Sequence, residues 1–438
     1  MRRNLTTVDE TFLTQRPLEG LRICFLGSNY ISNDTRAYRE ALALANAGAK
    51  VTVVNAGSEL NQELESAPFQ IVLTDSHTPP QFPLLAQFET MRIIGRVLTW
   101  RPWCVLLACY KQRKMRAWQK DRDEMIWKDL ENAAVQVGAD IVHATNLYSA
   151  VPAMNAAKRL NAKLVYDSYE LWTSVINDPL RRDLFPESMQ DKLLSREKAI
   201  VQMASKTIVV GESIAEKIAI QYDAEKPLVL YNGPLAVSAG IKRSGSQISM
   251  LIQGDYQKCI NVENCLRALA LLDERYSLTL QGRAMEQESI AEIIEDLDLS
   301  SRVHFAPLVP LGQTVNFASQ HDIGLFAGLV HHDGFTDLNI KYSNPNRFFT
   351  YLAAGLAIGI TDLVDLKAIV TRADAGVVFK SPDPEGIAEG ILRLGEDKDA
   401  LDRYKTNALA ASHEYLWSVQ SKKLVSLYES LRSKVDNG

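Results

Sequence analysis

Short apolar runs that end in small or polar turn residues, each followed by an amphipathic stretch, recur along most of this chain. The first run, Leu21 to Leu26, ends at Gly27, and a helical pattern follows from about Asp34 to Ala47 with Ala37, Ala41, Leu44 and Ala45 on one face. Asn33 or Asp34 can cap that helix and Gly48 can end it, after which Lys50 to Val54 reads as a second buried strand. Strand, glycine turn, capped helix and strand make a βαβ unit, which closes right-handed into a parallel sheet.

The alternation recurs. Asp140 to Ala144 and Lys163 to Asp167 are predicted strands, with a helix over Ser149 to Leu160 between them. Thr207 to Val210 is another, followed by a helix whose Ser213-Ile-Ala-Glu216 has capping-box spacing, and Leu228 to Tyr231 closes this half. Val237 to Gln247 is polar, has few apolar anchors and holds Gly240 and Gly245, so it reads as a linker. The pattern then restarts with a strand at Met250 to Gln253, a turn at Gly254 and a helix from about Val262 to Leu272. Further strands are predicted at Ser277–Gln281, Val303–Phe305, Asp322–Phe326, Leu356–Ile360 and Val377–Phe379. Two doubly wound α/β domains joined by one linker are the expected architecture. The expected divisions are 1–235, 248–412 and a final helix, 413–438, packing back toward the first domain.

One segment, about 77–128, breaks the alternation. It carries Trp100, Trp103, Trp118 and Trp127, and its second half sets Lys111, Arg113, Lys114, Arg116, Lys120, Arg122 and Lys128 against only Asp121, Asp123 and Glu124. It reads either as a solvated helix pair with aromatic core contacts or, over 91–128, as a surface that rests on an anionic membrane.

Composition narrows the classes. With 438 residues, 46% of them apolar and 23% charged, the chain can bury a sizeable core. Its 48 basic and 53 acidic side chains leave a net charge of -5, which excludes a basic nucleic-acid scaffold and removes nucleic acid from the expected partners. The 5 cysteines are odd in number and form no CxxC pair, so a reducing, cytoplasmic setting fits better than a disulfide framework or a zinc ribbon. Met1 to Gly20 has no apolar signal core, and the longest apolar run, Trp103 to Tyr110, is far short of the roughly 20 residues of a spanning helix. The expectation is a soluble protein, or one peripheral on the inner face of a membrane.

In doubly wound sheets ligands bind beyond the carboxyl ends of the strands, so the loops there carry the chemistry. The first such loop, Gly27 to Arg36, offers a glycine and a helix N-terminus to an anion, but no GxGxxG follows either first strand. The second runs from Asn339 to Gly355, where Pro345 suits the first turn of a helix and Arg347 can pair with a phosphate. A capped helix with Phe348, Leu352 and Ala353 as core residues explains the same stretch without a ligand. His331-His332-Asp333 has metal-like residue types, yet adjacent histidines in extended chain point apart. There is no GxSxG or HExxH motif.

Several segments resemble the GT-B glycosyltransferases, specifically the family 4 group of retaining enzymes that use nucleotide sugars. They are ISNDTRAYREALALANAGAKVTVV, ADIVHATNLYSAVPAMNAAKRLNAKLVYDSYELW, TIVVGESIAEKIA with PLVLYNGP, and NPNRFFTYLAAGLAIGITDL. The likeness covers about Leu21 to Val54 and nearly all of Asp140 to Leu394, but not the tryptophan-rich segment. It implies two Rossmann-like domains facing across a crevice, the first on the acceptor side and the second on the donor side. It also implies sugar transfer with retention, from a nucleotide sugar to a glycan or lipid-linked precursor of a cell-surface or secreted glycan, with no metal or other cofactor.

Carried over by position, the resemblance places Gly27, Lys258, Gly282, Arg283, Pro345, Asn346, Arg347 and Thr350 at the donor, and Ser28, Asn29, Asp34, Arg36, Asn146 and Glu170 on the acceptor side. Gly27, Asp34, Arg36, Asn232, Gly282, Pro345 and Asn346 match the family pattern. Other positions depart from it. Tyr169 stands where the family often has a histidine, Ile260 where a cation is most often expected, and Thr350 where a glutamate grips the ribose. Tyr342 stands at a second, less general acidic position. Charge-assisted bonds to a carboxylate contribute roughly 1.5–3 kcal/mol each, and a threonine replaces at most part of that. Lys258, Arg283 and Arg347 remain as sources of the missing cation, so Tyr169, Lys258 and Arg347 are the catalytic candidates. The alternative is a degenerate GT-B scaffold that serves as a non-catalytic binding or partner subunit.

Overall fold

The computed structural model describes residues 16–27, 34–56, 67–74, 124–177, 187–254, 261–282, 287–327 and 338–433. Its contacts cluster into two units, residues 19–165 and residues 1–18 with 166–438.

A seven-stranded sheet contains β1 (Arg22–Gly27), β2 (Lys50–Ala56), β3 (Gln70–Thr74), β4 (Ile141–Thr145), β5 (Lys163–Ser168), β6 (Lys206–Val209) and β7 (Leu228–Val229). Its order is β3-β2-β1-β4-β5-β6-β7. A six-stranded sheet contains β8 (Ile248–Gln253), β9 (Tyr276–Gln281), β10 (Val303–Ala306), β11 (Ile323–Phe326), β12 (Ala357–Ile360) and β13 (Gly376–Val378), in the order β10-β9-β8-β11-β12-β13. β1 pairs in parallel with both β2 and β4, and β8 with both β9 and β11. The strand order therefore reverses at β1/β4 and again at β8/β11, the switch points where doubly wound sheets open a crevice. All predicted strands are present within two residues of their expected ends; β3 was not predicted.

The helices of the first series are α1 (Thr35–Asn46), α2 (124–137), α3 (Asn146–Leu160), α4 (Trp172–Asn177), α5 (Glu187–Met203) and α6 (Glu212–Tyr222). Asp34 caps α1 by accepting from the Ala37 N–H at 3.0 Å, and Ala37, Ala41 and Leu44 are buried as their spacing predicts. α3 begins three residues before the predicted Ser149. Asn146 adopts a positive φ of 67°, and its Oδ1 accepts from the N–H groups of Tyr148 and Ser149. The capping-box reading of Ser213 is corrected too. α6 is capped by Gly211, Ser213 lies inside the helix, and its N–H is satisfied by Asp365 Oδ1 at 3.0 Å.

The second series is α7 (Val262–Ala270), α8 (Gln287–Asp296), α9 (Thr314–Ala318), α10 (Leu338–Tyr342), α11 (Asn346–Ala354), α12 (Val364–Ala373), α13 (Pro384–Gly395), α14 (Lys398–Ser412) and α15 (Trp417–Ser433). Every residue of α11 from Phe348 to Ala354 is buried. On one side Tyr351 lies over the sheet at Gly324, where a Cβ would come within 2.5 Å of the tyrosine ring. On the other, Phe349 meets Tyr231 and Tyr415 at ring-centroid distances of 5.5 and 5.2 Å. The helix is thus core on both faces and cannot shift without disrupting two packing layers.

The polar stretch read as a linker is anchored by hydrogen bonds that apolar patterning cannot reveal. Ser238 N–H donates to the Ala353 carbonyl, Ser244 N–H and Oγ donate to Asp402, and Lys242 reaches Asp322 at 2.7 Å. In α15, buried Gln420 accepts from the Tyr231 N–H, and Arg432 donates to the Pro17 carbonyl. Among the described residues no helix is long and apolar enough to cross a membrane.

Candidate functional site

The second switch point assembles from three elements. β8 ends in Gln253 and Gly254, whose φ of +93° is one that L side chains rarely adopt. β11 ends in Phe326, and α11 starts beside them with Pro345 as its N-cap, one place before the expected first turn. The first N–H groups of α11, at Asn346 and Arg347, have no intrahelical acceptor and lie at the positive end of the helix dipole.

Arg347 is the informative side chain. Its guanidinium carbon stands 5.6 Å from the Phe326 ring centroid, and a Cβ added to Gly254 would lie 3.3 Å from it. Glycine at that turn is what lets the cation approach the backbone. Nη1 is buried with no hydrogen-bond partner among the described residues. A buried guanidinium N–H without an acceptor is costly, and an anion entering between Gly254 and α11 would satisfy it.

Other donor-side candidates fall differently. Gly282 closes β9, its N–H donating to the Ala306 carbonyl. Thr350 is 6% exposed and its hydroxyl donates to the Asn346 carbonyl at 3.1 Å, so only its lone pairs remain available. Lys258 and Arg283 lie outside the described residues, as do Ile260 and His331-His332-Asp333. Sequence reasoning passed over two glutamines here. Gln253 and Gln281 are buried at neighbouring strand ends and joined side chain to side chain at 2.7 Å. A strand-end amide has no distinguishing pattern in the sequence; only the register of β8 with β9 pairs them.

At the first switch point Gly27 is buried, while Ser28 and Asn29 lie outside the described residues. Asp34 is the α1 cap described above. Arg36 is only 5% exposed, with Nε 3.1 Å from Glu40 Oε1, so it is held inside the fold and not in a solvated loop. Glu40 Oε2 lies 3.4 Å from His143 Nε2, and the His143 ring stacks on Phe25 at 4.2 Å. Asn146 commits its side-chain oxygen to the start of α3.

Burial, reinforced by Arg36, lowers the His143 pKa to about 3. The imidazole is therefore neutral, and the ionic partner of Glu40 in this cluster is Arg36. Between the ordinary histidine value and about 3 the unfolded chain takes up a proton that folded His143 refuses. Stability contributed by this group is thus intact above that window and falls as pH drops through it, by at most about 1.4 kcal/mol per pH unit. Urea unfolding at pH 7 and pH 5 is expected to show a smaller pH-dependent loss in His143→Gln than in the wild type. Equal losses would remove His143 as a source of acid sensitivity.

Tyr169 and Glu170 occupy a half-buried turn after β5. Ser168 Oγ shapes it by donating to the Glu170 carbonyl at 2.9 Å. Behind it, Tyr166 and Tyr222 contact the buried Glu197 carboxyl at 3.1 and 2.6 Å. Burial raises Glu197 to about 7 despite those donors. Of the tryptophan-rich segment only 124–128 is described, within α2, and residues 77–123 lie outside the described residues.

No known family model matches this chain. Among curated proteins, phosphatidyl-myo-inositol mannosyltransferase of Mycolicibacterium smegmatis is 30% identical over 80 residues, 18% of this chain and 21% of that protein. D-inositol 3-phosphate glycosyltransferase of Corynebacterium urealyticum is 24% identical over 209 residues, 45% of this chain and 46% of that one. The chain thus matches less than half the length of either relative. Among solved structures, sucrose-phosphate synthase of Thermosynechococcus elongatus superposes with a TM-score of 0.68 at 12% identity, covering 94% of this chain and 100% of that one. HepE of Anabaena, in complex with UDP and glucose, gives 0.63 at 12% identity, covering 94% and 99%. At such identities the likeness shows the fold, and the fold is GT-B.

Proposed function

We propose that this GT-B protein is a retaining glycosyltransferase, moving a sugar from a nucleotide-sugar donor to a hydroxyl of a glycan or lipid-linked acceptor. The observation that carries the reading is the Arg347 guanidinium at the β8/β11 switch point, beside the glycine turn and the N-terminus of α11, with its buried Nη1 lacking a partner among the described residues. These are the groups that a leaving diphosphate requires. When the bond from the anomeric carbon to the diphosphate breaks, its electron pair stays on the phosphate oxygen, and the developing charge must be met by fixed donors. Arg347 and the first N–H groups of α11 supply them without rearranging. In this reading the acceptor oxygen bonds to the anomeric carbon from the face the diphosphate leaves, and its proton passes to the departing phosphate oxygen.

Support also comes from the solved relative that holds UDP and glucose. The test is calorimetric titration of the protein with uridine, guanosine, adenosine and cytidine diphosphates, followed by a transfer assay with sugars of the nucleotide that binds. Affinity for one diphosphate and release of that diphosphate with acceptor present support the enzyme. Absence of affinity across all four would favour the non-catalytic partner.

A further inference from the structure

The switch point holds a second polar group, the Gln253 side-chain oxygen, to which no described residue donates, and the sheet register shows which way that side chain faces. Leu251 pairs with Gly324, the residue over which the Tyr351 ring lies. In-register residues of parallel neighbours share a face, and side chains alternate along a strand. Leu251, and therefore Gln253, point to the face of the sheet on which α11 packs. Gln281 pairs with Gln253 and points the same way. Arg347 lies one helical turn before Tyr351, whose hydroxyl oxygen accepts from the Gln253 backbone N–H at 2.8 Å.

The orientation of the two amides follows from their last partner. The Pro307 carbonyl can only accept, so the Gln281 NH2 group must face it, and does so at 3.2 Å. Gln281 Oε1 then faces Gln253 and receives its Nε2 at 2.7 Å. This relay leaves Gln253 Oε1 as an acceptor with no partner among the described residues, on a residue only 6% exposed. A fixed amide oxygen therefore accompanies, at one strand end, the Arg347 cation, whose buried Nη1 has no partner among the described residues. The pair fits a ligand that brings an anion and a hydroxyl together.

We propose that Gln253 is a ligand-binding residue whose Oε1 accepts a hydrogen bond from a ribose hydroxyl of the nucleoside diphosphate held by Arg347. This rests on the nucleotide-sugar reading above. Gln281 acts as a positioning residue, since without it the Gln253 amide is free to rotate.

The experiment compares wild type, Gln253→Met and Gln281→Met by calorimetry with inorganic pyrophosphate, UDP, and the 2′-deoxy and 3′-deoxy analogues of UDP. The wild type is expected to bind one deoxy analogue about 5- to 100-fold more weakly than UDP, the range of one buried hydrogen bond. Gln253→Met should weaken UDP by a similar factor, abolish that discrimination, and leave pyrophosphate affinity unchanged. Gln281→Met should show a smaller loss in the same direction, which keeps the test available if Gln253→Met does not fold. Undiminished discrimination in either folded variant overturns the proposal while leaving the phosphate site standing. A loss that follows the base, seen with the other nucleoside diphosphates and not with the deoxy analogues, overturns it in favour of a base N–H. If wild type binds pyrophosphate but UDP no more tightly, the sugar contact fails alone. If it binds neither pyrophosphate nor any nucleoside diphosphate, the nucleotide-sugar reading fails with it.

Discussion

Arg347→Ala is expected to lower sugar transfer by roughly 10- to 1000-fold, the scale of losing one preorganised donor to a developing anion. The guanidinium is already fixed between Phe326 and the Gly254 turn, so in the proposed transfer its interaction with a leaving diphosphate would require no reorganisation in the transition state. Among the described residues at this strand end, removing it leaves the N–H groups at the start of α11 to meet the charge. Nucleoside diphosphate affinity should fall as well, because the product carries the same charge. Arg347→Lys should recover part of the loss, since a lysine restores the charge but not the planar fork. The measurement is steady-state transfer and diphosphate titration beside the wild type. Normal turnover in Arg347→Ala would show that the phosphates lie elsewhere.

Asp322→Ala is expected to cost about 3–5 kcal/mol of stability, the range for stranding a buried charge by removing its partner. Asp322 and Lys405 are both fully buried, and Lys405 Nζ lies 3.0 Å from Asp322 Oδ1. The other carboxylate oxygen receives Lys242, the Ser249 N–H and the Ser249 hydroxyl. Burial alone would push the Asp322 carboxyl up, but these donors outweigh it and hold it below the usual range. Without Asp322, the buried Lys405 ammonium keeps, among the described residues, the Lys242 carbonyl as its one hydrogen-bond partner. Asp322→Leu combined with Lys405→Met should recover much of the loss, because an apolar pair needs no counter-charge. Urea unfolding reads both. An Asp322→Ala midpoint equal to the wild type would mean that Lys405 finds another partner or water.

Much of the architecture was readable in the amino-acid pattern. Runs such as Arg22–Gly27 and Met250–Gln253 are apolar on both faces because both faces of a doubly wound sheet are covered, and that composition survives in any context. The Asp34 cap and the stripe of Ala37, Ala41 and Leu44 depend on neighbours within one or two helical turns, so they too were legible. β3 escaped because its residues from Gln70 to Leu73 are exposed or only partly buried, which weakens the apolar signal of an edge strand.

The site was legible only in part. Residue types and spacing along Asn339–Gly355 singled out Pro345 and Arg347, because a helix start and a cation within its first turn are local features. Which polar candidates remain available is not local. Asp34, Arg36, Asn146 and Thr350 proved to be engaged by a helix N–H, a buried glutamate, a loop cap and a helix carbonyl. Gln253 and Gln281, separated by a helix in the chain, meet only because β8 and β9 are in register. Chain periodicity thus determined the strands, the helices and the place of the switch point. The pairing of distant hydrogen-bond donors and acceptors, which follows from register and burial, decided which side chains there are left for a ligand.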